Sequence, residues 1–249
     1  MFSSEERSRI RSSLLEFAAS DPRIGGAAIT GSAAIDCEDQ WSDIDLAFGV
    51  RNADSMEEVL SDSTARMYEQ HRALHHLDVK VGAWIYRVFL LPNTLQVDLA
   101  FVPAAEFRAL SPSFRLVFGE AKEPADGPAP SSANLIGMGW LYALHARSSI
   151  ARGKLWQAEY MISGIRDHAL ALASVRHGLS AAHGRGFDQL PREVTAPFEG
   201  SLVRELDSAE LMRAFRVALL GLLTEIQSAD AKLAGRLQEA LIGLSEVPL

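Results

Sequence analysis

Residues 120–132 read EAKEPADGPAPSS, a run without hydrophobic period that divides the chain into two differently patterned halves. Ahead of it, short apolar runs alternate with helical stretches. Behind it, almost everything keeps a helical period. A Pro/Gly/Ala-rich segment of this kind acts as a linker. The sequence therefore predicts domains at 1–119 and 133–249 joined by a linker at 120–132, in an α+β class: a mixed sheet flanked by helices, then a helical bundle.

In the first half, apolar positions at Ile10, Leu14, Leu15, Phe17 and Ala18 predict a helix over 4–20. Ser3 or Ser4 and then Glu5 and Glu6 suit its N-terminus, and Asp21-Pro22 ends it. Strands are expected at 24–30 and 43–50, a helix at 56–71, and strands at 77–81, 84–91 and 95–102, with a turn at Pro92-Asn93. In the second half, long helices are expected at 133–152, 154–177 and 208–228, and a shorter one over the last dozen residues. Pro191 and Pro197 punctuate the stretch between.

With 249 residues, 48% of them hydrophobic, the chain is long enough for two real cores. Its 24 basic and 32 acidic residues leave a net charge of −8, which argues against a nucleic-acid partner gripped through phosphates. No apolar run spans a bilayer, and residues 1–11 lack a signal peptide's apolar core, so no membrane partner and a cytoplasmic location are expected. Cys37 is the only cysteine, so no internal disulfide is expected and a loop or packing role suits it.

The chemistry concentrates in Gly31-Ser32, a ten-residue gap, Asp43-Ile44-Asp45, and much later Asp98 in the run Gln96-Val97-Asp98. Alternation along a strand turns Asp43 and Asp45 to one face and Ile44 and Leu46 to the other. Aspartate is depleted from strands, and two carboxylates side by side repel unless a cation sits between them. Asp98 repeats the oddity, and if its strand neighbours that of Asp45, three carboxylates meet. An oxygen-only set suits Mg²⁺, and two such ions can serve an in-line phosphoryl displacement. Gly31 lets backbone approach a phosphate, and Ser32 adds a hydroxyl donor. Taken singly, D-x-D is common in metal-free surface turns and Gly-Ser in plain ones. It is the constellation that carries weight.

Gly31-Ser32 with Trp41-Ser42-Asp43-Ile44-Asp45-Leu46 resembles the DNA polymerase β-type nucleotidyltransferase superfamily. The helical second half narrows the resemblance to the lincosamide and aminoglycoside adenylyltransferases. It implies that Asp43 and Asp45 are metal ligands, and that Asp98 is the third carboxylate, as ligand or catalytic base. It also implies transfer of a nucleoside monophosphate, AMP from ATP or from another nucleoside triphosphate, to a small-molecule hydroxyl with release of pyrophosphate. An antibiotic acceptor, and so resistance, follows from the same likeness. The motif likeness covers residues 25–102. Ala33-Ala34-Ile35-Asp36 stand where relatives often have a basic residue and a glycine. Protein adenylylation of the antitoxin type and a non-catalytic nucleotide-binding module are the alternatives.

Other residues carry weaker expectations. Lys154 is a candidate cation for the triphosphate, and Tyr160 and Arg166 are candidates for the acceptor, all on the helix at 154–177, where a solvated polar face is the plainer reading. Arg185 between two glycines is read equally as an anion contact or a surface loop. His71, His75 and His76 lack the spacing and the cysteines of a zinc site, and Trp84, Trp140 and Trp156 are expected in the core.

Overall fold

The computed structural model describes residues 2–125 and 131–246; residues 126–130 of the expected linker, and 247–249 at the end of the last expected helix, lie outside them. The chain divides into two compact units, Met1–Pro128 and Ala129–Leu249.

The first unit is built on one six-stranded sheet in the order β3-β4-β5-β2-β1-β6. Its elements run α1 (Ser4–Ser20), β1 (Ile24–Thr30), α2 (Gly31–Ala34), β2 (Ile44–Val50) and α3 (Met56–His71), then β3 (His75–Val81), β4 (Trp84–Leu90), β5 (Gln96–Pro103) and β6 (Phe114–Gly119). Only β2 and β5 are parallel; every other neighbouring pair is antiparallel. Ser3 caps α1, its hydroxyl accepting from the Glu6 N–H at 3.2 Å.

Alternation gives the sheet two faces. Ile44, Leu46, Phe48, Val97, Leu99 and Phe101 are buried in one cluster with Leu14 and Ala18 of α1 and Val59, Leu60 and Met67 of α3. The other face holds smaller apolar residues at its centre, Ala28, Ala47 and Ala100, with Trp84, Val102 and Phe107 beside them.

Two differences from the sequence reading concern strands. Strand β3 starts at His75 rather than 77 because His75 and His76 pair with Leu90 and Phe89. The His76 ring packs 5.5 Å from that of Phe89, and its Nδ1 lies 3.0 Å from the Tyr68 hydroxyl. Strand β6 was not expected at all. It is an edge strand with Leu116 and Val117 exposed, so it has little alternation to read, and pairing with β1 makes it a strand.

The second unit is helical: α4 (Ser132–Ala151), α5 (Leu155–Arg176), α6 (Arg192–Glu199), α7 (Ser208–Ala229) and α8 (Ala231–Glu246). Ala143, Ala146, Ile162, Ile165, Phe215, Leu219 and Leu222 lie at its centre. Helix α8 is longer than expected, because Asp230 caps it by accepting from the Leu233 N–H at 2.9 Å, and Ala234 and Leu241 are buried along it. Helix α6 tolerates Pro197 because it is short and buries Phe198. A Cβ on Gly221 of α7 would lie 2.3 Å from that ring. Among the described residues no helix is long and apolar enough to cross a membrane.

Candidate active site

Strands β2 and β5 run side by side in parallel with Asp45 opposite Asp98. Asp43 stands one residue ahead of β2, two from Asp45. The buried Ile44 and Leu46 hold the strand against the helices and leave the aspartates to the other face. One carboxylate oxygen from each of Asp43, Asp45 and Asp98 lies within 4.8 Å of the other two, and all three residues are half-buried. Among the described residues no other group of three or more acidic, histidine or cysteine side chains is so gathered.

Unit charges about 4 Å apart repel by about 1 kcal/mol in water and about 4 kcal/mol at an effective dielectric of about 20. A neutral donor between them relieves part of this: the Gln96 carboxamide donates to Asp43 Oδ2 at 3.3 Å and to Asp98 Oδ1 at 3.1 Å. Gln96 has no role in the sequence reading. Its signal was its place two residues before Asp98, on the same face of the same strand. Three convergent carboxylate oxygens without nitrogen or sulfur fit a hard divalent cation such as Mg²⁺.

The Gly31-Ser32 turn borders this group. Strand β1 ends at Thr30, and the chain winds into the single turn of α2, with Gly31 at φ +65°. A Cβ on Gly31 would fall 2.0 Å from Asp45 Oδ2. The position thus needs glycine twice, for its left-handed backbone and for its contact with the carboxylate. Ser32 follows, half-buried. Arg115 of β6 reaches the turn, donating to Ala33 O at 2.7 Å and to Asp36 Oδ1 at 2.8 Å.

The segment between the turn and Asp43 is clamped from α1. The Arg7 side chain, 4% exposed, donates to Asp39 O at 2.7 Å and Ser42 O at 2.8 Å, with its Nε 3.0 Å from Glu38 Oε1. Arg11 adds a second contact to Glu38 at 2.6 Å. The Trp41 N–H and then the Ser42 hydroxyl donate to Asp39 and hold its carboxyl below the usual range. Nothing in the helical period of α1 marked Arg7 as the anchor of the loop that delivers Asp43. Cys37 is exposed in that loop.

The other residues singled out from sequence lie elsewhere. Lys154 is exposed at the start of α5, and Tyr160 is exposed with its ring 6.3 Å from that of Tyr142. Arg166 turns into its own unit, donating to Ser163 Oγ at 3.0 Å and to Ser201 O at 3.4 Å. Arg185 ends a short 3₁₀ turn, its N–H bonded to Ala182 O. His71 is half-buried, and burial and then Arg66 lower its pKa. Trp84 is buried and Trp140 packs against the helical core, but Trp156 is 77% exposed, contrary to expectation. It sits in the first turn of α5, on the face opposite the buried Ala158, Ile162 and Ile165.

No protein-family model matches the chain, and no curated protein sequence does. Among solved structures, the chain is similar to the polymerase core of TRAMP, a RNA surveillance complex, at 13% identity and a TM-score of 0.31, over 100% of this chain and 85% of that one. It is also similar to an aminoglycoside 6-adenyltransferase from Bacillus subtilis, at 13% identity and a TM-score of 0.43, over 99% of this chain and 100% of that one.

Proposed function

We propose that the chain is a divalent-cation-dependent nucleotidyltransferase. It moves a nucleoside monophosphate, AMP from ATP in the first instance, to a hydroxyl of a small molecule and releases pyrophosphate. The observation that carries this reading is the meeting of three carboxylates, two from neighbouring parallel strands and one from the residue leading into β2, beside a glycine with no room for a side chain.

Asp43, Asp45 and Asp98 are the residues that would hold Mg²⁺, as a pair of ions. When bound, such ions neutralise charge on the phosphate oxygens during displacement. Gly31 leaves the turn's backbone open to a phosphate, and the Ser32 hydroxyl donates to one of its oxygens. Gln96 keeps the Asp43 and Asp98 carboxylates in register. The acceptor oxygen attacks the α-phosphorus, the bond from that phosphorus to the bridging oxygen breaks, and pyrophosphate leaves with the electron pair. Asp98 takes the hydroxyl proton on a carboxylate oxygen. In this reading residues 1–119 carry the chemistry, and residues 133–249 contribute to the choice of acceptor.

The test is pyrophosphate release with and without Mg²⁺, for the unaltered chain and for Asp43→Asn and Asp45→Asn. Release should require Mg²⁺ and fall by about 100-fold or more in either variant. Unchanged activity in both would sink the assignment. Lincosamides and aminoglycosides are the first acceptors to try, and labelled ATP reports whether label enters a small molecule or a protein.

A further inference from the structure

The pairing of strands lines up side chains in rows across the sheet, and one row joins the acidic group to an apolar surface. Leu77 of β3 is opposite Val88 of β4, Val88 is opposite Asp98 of β5, and Asp98 is opposite Asp45 of β2. Directly opposed residues project from the same face, and neighbouring strands are about 4.8 Å apart. An aliphatic surface therefore begins one strand away from Asp98 and runs to the sheet edge. The flanking rows extend it, with Leu90 opposite Gln96 on one side and Val79 opposite Tyr86 on the other.

This strip is open. Leu77 is 51% exposed, Val79 45% and Leu90 46%. It carries no carboxylate, and its titratable side chains include His75, opposite Leu90: Asp78, Lys80 and Arg87 of the same two strands occupy the alternate positions and project from the opposite face. There Arg87 pairs with Asp78 and donates to Thr64 of α3. Contiguous exposed apolar surface of this kind marks a binding site more often than bare surface.

The sheet order says which ligand it serves. The Gly31-Ser32 turn follows β1, on one side of the acidic group, while β4 and β3 lie on the other. An in-line displacement needs the entering and leaving oxygens on opposite sides of the phosphorus. With pyrophosphate leaving toward Gly31-Ser32, the entering hydroxyl comes from the Asp98 side, across Val88 and Leu77.

We propose that the β4–β3 strip is the acceptor-binding surface, and that the acceptor is a hydroxyl-bearing molecule with an aliphatic body rather than a polycation. This rests on the nucleotidyl-transfer reading above. A polycation would require carboxylates along the strip, and it has none; an alkyl group finds Leu77, Val88 and Leu90.

Methyl-labelled leucine and valine in the full chain provide the test, read by NMR in the presence of Mg²⁺ and a non-hydrolysable ATP analogue. The two probes are a lincosamide, whose hydroxyls sit on an alkylated frame, and an aminoglycoside, a polycationic sugar. The lincosamide should shift the Leu77 and Val88 methyls, and Leu77→Asp or Leu90→Asp should weaken its binding about tenfold while leaving binding of the analogue unchanged. Both substitutions fall on exposed positions, and the remaining methyl spectrum reports that the fold persists. Equal or tighter response to the aminoglycoside, no response of these methyls to either probe, or unchanged lincosamide binding in both variants overturns the proposal. Failure of the unaltered chain to bind the analogue is a separate result, and it removes the nucleotidyl-transfer reading itself.

Discussion

Gly31 in the first unit and Gly153 in the second have the same backbone angle, φ +65°, and the difference between them lies in their surroundings. Gly153 makes the turn from α4 to α5, its N–H bonded to Ile150 O, and a Cβ there would meet nothing within 4 Å. The same Cβ on Gly31 would enter the Asp45 carboxylate. Each glycine precedes a residue with a nucleotide-binding expectation, Ser32 after one and Lys154 after the other. Only the first stands in a built environment of convergent carboxylates. A turn conformation is a local matter, and its chemistry depends on what a neighbouring strand brings to it.

A methyl group on each glycine should separate the two sites most strongly. Gly31→Ala should cut pyrophosphate release about 100-fold, the scale of an ångström's displacement of a reacting group. Gly153→Ala should leave the rate unchanged and cost only left-handed strain, about 1–2 kcal/mol. Steady-state rates and thermal melts of the two variants decide it, and equal rates would mean that the Asp45 contact is incidental.

The two units also each clamp a loop with an arginine, which gives a smaller contrast. Arg7 holds Asp39 O and Ser42 O with its side chain 4% exposed, whereas Arg213 holds Gly200 O and Leu202 O with its side chain 37% exposed. Arg7→Met should lower unfolding stability by about 3 kcal/mol, because buried carbonyls and a carboxylate lose a charged donor. Arg213→Met should lower it by less, as water replaces what is lost. Urea unfolding of the two variants compares them directly.

The smallest effect is electrostatic. Arg213 first, and then the Arg204 N–H, hold the Glu210 carboxyl down to about 2 from a usual 4.5. A lowered value means that its contribution to stability is complete above about 4.5 and is lost as pH falls through about 2. A carbon-13 titration of the Glu210 side chain should give a midpoint near 2. A midpoint near 4.5 would dissolve the second clamp.

Much of the acidic group was legible before any fold was known, since alternation in a strand has one outcome for Asp43, Ile44 and Asp45. Helix α5 was less legible. Tyr160 and Arg166 lie on the helix and Lys154 just ahead of it, but a helix has several faces, and Arg166 serves Ser163 and Ser201 while Trp156 stands in solvent. Strand β6 and the early start of β3 carried no period to read, because pairing with β1 and β4 creates them.

Propensity and side-chain period are local properties of the chain, and they account for the strands around Asp45 and Asp98, for the shared face of Asp43 and Asp45, and for the helical pattern of the second half. The tertiary structure alone decided that β5 lies parallel beside β2, that Gln96 bridges two carboxylates, that Arg7 anchors the loop to Asp43, and that an apolar strip borders Asp98. Each of these joins residues distant in the chain, and such contacts follow from which surfaces pack together, information that no short window of residues contains.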